Sequence, residues 1–370
     1  MAYAKRRVGD GGRVRFTAVY LDPRGRERSA GTYDGKRAAE KAAHLAEGSI
    51  ANGEWIDPAN ARMTFREYVD GYWWPSKHLE VNTRVTYRTI LEKHFLPFFG
   101  AMPMGSIVPT TVEAWIGLAA PKLAPRSVRQ YVALLSSVFR RAVRDRVVGF
   151  NPCDAVETPK VVNQPLRIPT PSEFEAVLAE LPARYQALVL VDIETGLRWG
   201  ELIALRPRHI DFLRRSIRVE QVVVEVPKRR SPTGERMIVK DYPKDDEPRT
   251  LRVTEGVLQS LAAVIDRLDL SPDDLIFPST GKKGGGPLSR NTFRTKIWLP
   301  ALKRSGIGYH LRMHDLRHAH ASWSLAGGAD IKAVMERMGH RQLSTTQRYL
   351  HTLPDSDDRA LAAFTRIRSG

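Results

Sequence analysis

"ETGLRWGEL", residues 194–202, interrupts a helix and then starts it again. The run before it, "ALVLVDI" at 187–193, is apolar enough for a buried helix. Gly196 is the residue type that most readily ends one in a left-handed conformation. The restart leaves Arg198 at the junction, with Glu201 one turn further on. The simplest partner for Arg198 is Glu201, in a helix-surface contact worth a few tenths of a kcal/mol. A guanidinium at a helix break is also well placed to grip an anion.

Upstream, Thr170-Pro171-Ser172-Glu173 combines an N-cap, a proline at the first helical position and a closing glutamate, so a helical region opens sharply there. Downstream come three strand-like runs, "RSIRVEQVVVEV", "ERMIVKDY" and "RTLRVT", and then helices to the end. The glycine-rich "GKKGGGP" lacks the Gly-Lys-Ser/Thr ending of a phosphate-binding loop and reads as a turn. "HDLRHAHAS" (314–322) places His314 and Arg317 on one face of a helix beginning near Asp315. "MGHRQLSTTQRYLH" (338–351) places His340 just past a helix ended by Gly339, and lets Ser344 cap a short helix carrying Tyr349.

Two arginines, two or three histidines and a tyrosine suit attack on a phosphodiester. Arginine holds non-bridging oxygens with a planar fork and stays charged at any working pH. Histidine can donate hydrogen bonds to phosphoryl oxygens or move protons near neutrality. A phenol is a weak nucleophile in water, but a cationic cluster favours its ionised form. Such a site stabilises an anionic transition state without a metal. His314 and His318 have zinc-ligand spacing, but Arg317 would sit beside the cation and no third ligand follows, so no metal is expected.

The N-terminal half has a different character. In 13–33, "RVRFTAVYLDPRGRERSAGTY", alternating Val14, Phe16, Ala18 and Tyr20 predict a small antiparallel unit turning at "DPRGR". A helix over "KRAAEKAAHLAEGSI" and a linker over "ANGEWIDPANAR" follow. Residues 62–150 read as four helices around one core. Phe65, Tyr68, Val69 and Tyr72 form the first apolar stripe, and Tyr87, Ile90, Leu91 and Phe95 the second. Thr83 caps the second helix, and Thr110 with Glu113 forms a capping box on the third. The fourth, "RSVRQYVALLSSVFRRAVRDR", buries Val128, Tyr131, Val132, Leu135, Val138, Phe139 and Ala142 and leaves Arg129, Arg140 and Arg144 outside. Those three, with Arg15 and Arg24 on the N-terminal sheet and turn, are the candidate phosphate contacts. Five prolines between 149 and 171 mark an extended linker.

The chain's 370 residues suit two or three domains. Lys and Arg number 58 against 41 Asp and Glu, a net charge of +17. The surplus is +3, +6 and +8 over residues 1–61, 62–160 and 161–370, so no single tail supplies it. A basic balance spread over every region suits a protein lying along a polyanion. Cys153 is the one cysteine, which excludes an intramolecular disulfide and fits a reducing cytosol. No apolar run is long enough to span a bilayer and no signal peptide is evident, so the expected location is the bacterial cytoplasm, with the nucleoid.

Taken together, "TGLRWGEL", "HDLRHAHAS", "MGH" and "STTQRYLH", with tyrosine nine residues after histidine, resemble the tyrosine recombinase family, the phage-type integrases, over about 169–355. Residues 62–150 resemble the family's helical core-binding, SAM-like domain, and the N-terminal module its arm-binding domain. The resemblance implies an α+β multidomain protein: a small β-rich module (1–58), a four-helix core-binding domain (62–150), a linker (151–168) and a mainly α-helical catalytic domain with a small antiparallel sheet (169–370).

It further implies that Tyr349 attacks DNA and forms a 3′-phosphotyrosyl link, that Arg198 and Arg317 hold the phosphate, that His314 and His340 assist, and that Glu201 braces the site. The family's hairpin lysine, which protonates the leaving 5′ oxygen, matches Lys244 in "YPKDDEPRTLRV" better than Lys228 or Lys240. Implied partners are double-stranded attachment-site DNA, three further copies in a homotetramer, a host DNA-bending protein and an excisionase. No cofactor is implied, because the phosphotyrosine bond conserves the energy of the broken phosphodiester. A type IB topoisomerase-like enzyme and a non-catalytic DNA-binding protein on the same fold are the competing readings.

Overall fold

The computed structural model describes residues 2–8, 12–53, 55–162, 167–241, 248–280, 285–340, 342, 361, 364–365 and 368. The chain divides into two units, Met1–Asn163 and Gln164–Gly370.

In the first unit, β1 (Tyr3–Val8), β2 (Val14–Leu21) and β3 (Glu27–Tyr33) form one antiparallel sheet in that order. Asp22 makes the β2–β3 turn by accepting the backbone N–H groups of Arg24 and Arg26 at 2.9 and 3.0 Å. Strand β1 is not foretold by the residue pattern. Its basic "YAKRRV" carries no apolar alternation, and it pairs through its backbone with β2 from Tyr3↔Val19 to Val8↔Val14. Helix α1 (Lys36–Ala51) covers the sheet with Ala39 and Ala43 against Ala18, small side chains that allow close approach. The stretch expected to link is tied down: α2 (Pro58–Arg62) forms within it, Trp55 Nε1 donates to the Tyr20 hydroxyl at 3.0 Å, and Arg28 donates to Asp57 at 3.2 Å.

The helical part comprises α3 (Phe65–Tyr68), α4 (Val81–Ile90), α5 (Leu96–Phe99), α6 (Pro109–Ala119) and α7 (Pro125–Arg144). Its core gathers Phe65, Tyr68, Trp73, Phe95, Phe99 and Phe139, with Trp115 at the edge. The first apolar stripe is corrected at its end. Val69–Trp73 winds as a π turn, so Trp73 is buried where a straight 3.6-residue period would put Tyr72, and Tyr72 is 55% exposed. Two predicted caps also move. Helix α4 starts at Val81 after Glu80, leaving Thr83 inside it, and α6 starts at Pro109, with Thr111 Oγ1 accepting from the Val108 N–H. Trp73 and Trp115 are core residues, whereas Trp74 lies under the guanidinium groups of Arg84 and Arg88. Asn151 and Cys153, at the start of the predicted linker, are buried, and burial pushes the Cys153 thiol up to about 12.

In the second unit, α8 (Pro171–Ala179) opens on the expected capping box, with Thr170 and Glu173 bonded reciprocally. Next come α9 (Ala183–Thr195), α10 (Trp199–Leu202), β4 (Ile210–Asp211), β5 (Ser216–Val219), β6 (Gln221–Glu225), β7 (Met237–Asp241) and β8 (Arg249–Arg252). The first predicted strand breaks at Glu220: β4-β5-β8 form one small antiparallel sheet and β6-β7 another. Helices α11 (Glu255–Leu268), α12 (Arg290–Phe293), α13 (Leu299–Arg304), α14 (Met313–Ala326) and α15 (Ile331–Met338) complete the unit. Helix α14 begins at Met313, slightly before the predicted start, with Asp315 accepting from the Arg312 N–H at 2.8 Å. Leu188, Val189, Leu261, Phe293, Trp298, Leu316 and Ala319 are central to its core. No described helix is long and apolar enough to cross a membrane.

Candidate active site

Three helix ends meet in the second unit: the end of α9, the start of α10 and the end of α15. Gly196 ends α9 at φ 61°, and a Cβ there would lie 2.8 Å from both His320 Cδ2 and Met338 Sδ. Only glycine suits both that backbone and that space. Gly339 ends α15, also at φ 61°.

The last carbonyls of α15 have no partners within the helix and carry the negative end of its dipole. Three successive ones each receive a different guanidinium. Arg249 Nε donates to Arg337 O at 3.2 Å, Arg317 Nη2 to Met338 O, and Arg198 Nη2 to Gly339 O at 2.9 Å. Arg317 also donates to the Gly196 carbonyl and is only 2% exposed. Arg198, the residue before α10, keeps 46% of its side chain exposed.

Glu201 lies beneath them with its side chain wholly buried. Its Oε1 accepts from Arg198 Nη1 at 2.8 Å and Arg249 Nη1 at 3.3 Å. Its Oε2 accepts from the Arg198 N–H at 3.0 Å and Arg249 Nη2 at 2.6 Å. In place of the alternative of a weak helix-surface pair there is a buried carboxylate shared by two arginines.

His340 follows directly. Burial first, then Arg317, Arg198, His318 and Arg249, push its pKa down to about 4. His314 stands on the exposed side of α14, yet desolvation by its neighbours, then Arg317 and Arg290, holds it below the ordinary histidine value. Its ring meets His318 edge-on, with centroids 4.7 Å apart, and burial with the adjacent His314 takes His318 down to about 4. Asp192 is buried behind Arg317, and burial raises its carboxyl well above the usual range against the opposing pull of that arginine.

Arg198, Glu201, His314, Arg317 and His340 are thus brought to one place. Lys244 and Tyr349 lie outside the described residues. Arg249, Arg337 and Asp192 were not among the expected site residues, although "RT" beginning five residues after Lys244 was a signal for the first. Among the described residues, no group of three or more His, Cys, Asp or Glu side chains is placed to hold a metal ion. Arg129, Arg140 and Arg144 are exposed on α7, and at 3.6 residues per turn they share an arc of about 60°. Arg24 is exposed in the β2–β3 turn, and Arg15 is exposed beside Asp34 at 3.4 Å. Fixed guanidinium groups around neutral imidazoles make a pocket receptive to an anion.

The sequence pattern of the phage integrase family matches residues 169–355, and that of the phage integrase N-terminal SAM-like domain matches residues 64–117. The chain belongs to the phage integrase family. The prophage phiRv2 integrase of Mycobacterium tuberculosis (strain CDC 1551) is 27% identical over 362 residues, covering 95% of this chain and 93% of its own. Among solved structures, the Tn1549 transposon integrase in complex with a circular intermediate DNA superposes with a TM-score of 0.67 at 19% identity, over 82% of this chain and 99% of that one. A lambda integrase tetramer bound to a Holliday junction matches with a TM-score of 0.58 at 19% identity, over 93% and 94%. As a phage integrase family member the chain is a tyrosine-type site-specific recombinase, an enzyme that cleaves and rejoins DNA.

Proposed function

We propose that this recombinase integrates a phage or other mobile element at attachment sites through a 3′-phosphotyrosine intermediate. The phenolic oxygen of Tyr349 attacks the scissile phosphorus, and the P–O5′ bond breaks. The 5′ oxygen takes a proton from Lys244, and the phenol proton passes to the histidine pair His314 and His340. Arg198 and Arg317 carry the charge on the non-bridging oxygens, and Glu201 braces the site beneath them. Attack of a new 5′-hydroxyl on the phosphotyrosine reverses the step and rejoins the strand, so no external energy source enters.

The observation that carries this reading is the convergence of Arg198, Arg317 and His340 on the C-terminal end of α15. The bonds of the two arginines to Met338 O and Gly339 O show that oxygen acceptors fit there. A DNA phosphate would replace the neutral carbonyl of Gly339 with an anionic oxygen, a stronger acceptor for the same donor.

In the same reading, residues 62–150 grip the core site, 1–58 form an arm-type DNA-binding module, 151–168 link, and 169–370 catalyse. The lambda integrase tetramer bound to a Holliday junction is the precedent for four copies on one junction, and here the four would exchange strands in turn. A host DNA-bending protein and an excisionase would be its accessory partners, in the nucleoid of a bacterial cell.

The test is covalent capture. A pool of nicked duplexes with randomised core sequence traps the enzyme on DNA, because the short 5′-hydroxyl strand diffuses away after cleavage. Wild type should form an SDS-resistant adduct at defined sequences, and Tyr349→Phe should form none. Absence of adduct from wild type would sink the catalytic assignment. Adducts that relax paired target sites without recombining them would select the topoisomerase-like reading.

A further inference from the structure

Arg249 opens strand β8, outside every helix that builds the site, yet it reaches two of them. Its Nη1 and Nη2 lie 3.3 and 2.6 Å from the two Glu201 oxygens. Its Nε bonds the Arg337 carbonyl at 3.2 Å. The guanidinium also lies against Gly339, where a Cβ would come within 3.1 Å of Nη1. One planar group thereby ties the start of α10 to the turn that presents His340.

Glu201 makes this necessary. Its carboxylate is wholly buried and a buried carboxylate needs a cationic partner. Arg198, the other partner, is half exposed and stands at the anion pocket. A guanidinium that turns from Glu201 toward a phosphate would leave the carboxylate uncompensated unless a second cation stays. Arg249, with 15% of its side chain exposed, is that second cation.

We infer that Arg249 is a positioning residue of the recombinase site: it carries the charge of Glu201 and anchors the end of α15, so that Arg198 can shift onto DNA while His340 stays facing the same phosphate. The inference rests on the assignment of Arg198 and His340 to that phosphate. Without Arg249, Glu201 claims Arg198 entirely and the turn before His340 loosens. Lysine is a poor substitute, because one ammonium cannot span both Glu201 oxygens and the Arg337 carbonyl.

The experiment uses the nicked duplex enriched by wild type and compares wild type, Arg249→Met, Arg249→Lys and Glu201→Gln/Arg249→Met. Single-turnover adduct formation, duplex affinity and thermal melting are measured on each. Arg249→Met should slow adduct formation about 100-fold, the scale of an ångström-sized misplacement, with affinity within about threefold of wild type. The double variant should recover about tenfold of that rate, because neutral glutamine no longer holds Arg198. Arg249→Lys should fall between. If Arg249→Met is too unstable to assay, the lysine variant decides.

Wild-type rates in a folded Arg249 variant would overturn the inference. So would a rate loss that follows only the folded fraction, with the double variant restoring melting and not rate. No adduct from wild type would instead remove the catalytic reading, and the inference with it. An adduct from wild type beside an indifferent Arg249 would leave that reading standing.

Discussion

Arg337 donates through Nε to Nε2 of His320 at 3.1 Å, so the ring proton of that histidine must sit on Nδ1, 2.9 Å from the Ile193 carbonyl. The same guanidinium donates to Arg252 O at 2.8 Å and Glu194 O at 3.0 Å, joining α15 to β8 and to the end of α9. Protonating His320 would turn its acceptor nitrogen into a donor facing a cation. Burial, followed by Arg337, accordingly lowers its pKa to about 4.

A pH dependence of stability follows. His318, His320 and His340 all have folded pKa values pushed down to about 4. Each therefore contributes stability that is fully present above the unfolded histidine value of about 6.5 and lost as pH falls toward the folded one. Asp192, with its raised carboxyl, acts in the opposite sense, losing its contribution as pH rises. The DNA-free protein should melt at progressively lower temperature from pH 6.5 to pH 4. Adding the nicked duplex should flatten this dependence, because a phosphate favours charged imidazole beside it and brings the folded value back toward the unfolded one. Differential scanning calorimetry across that range reads both effects.

Arg317 and Arg198 should separate stability from catalysis. Arg317→Met leaves the buried Gly196 and Met338 carbonyls without their donor, which should cost about 2 kcal/mol or more in urea unfolding. Arg198→Ala removes a half-exposed group and leaves Glu201 paired with Arg249. It should cost about 1 kcal/mol or less and abolish adduct formation. Equal losses of stability for the two substitutions would contradict their different burial.

At the α9–α10 break, Gly196→Ala should destabilise the protein by about 2 kcal/mol or more, combining a left-handed backbone with a clash against His320 and Met338. Gly234→Ala is the control. It shares a positive φ but meets nothing within 4 Å, so it carries only the backbone part of the cost. Denaturant midpoints compare them directly.

On α7, replacing Arg140 and Arg144 by alanine should weaken binding to all duplexes alike. It should also reduce the slope of log affinity against log salt by about 2, one for each phosphate that is no longer neutralised. An unchanged slope would place that face away from DNA.

Much of the site was legible because its marks are local. Gly196 and Gly339 end helices by backbone chemistry, Thr170 and Glu173 close a cap within one turn, and the stripe from Val128 to Ala142 follows the helical period. The tandem of arginine, H-x-x-R and glycine-histidine stands in the same order in the sequence as in the fold. Strand β1 was missed because edge pairing uses backbone groups that every residue shares, and Tyr72 was misplaced because a π turn adds a residue the period does not announce.

By itself the sequence determined the recombinase family, the helix breaks and the polar residues set beside them. Tertiary structure alone decided which charges meet. Arg249 and Glu201 are 48 positions apart, and Arg337 and Glu194 are 143 apart, and nothing near either partner in sequence foretells the contact. Helix periods and caps arise from hydrogen bonds within a turn, whereas compensation of a buried carboxylate depends on which distant elements pack over it. That packing set the Glu201 carboxylate, buried and held by two arginines, beneath a half-exposed Arg198.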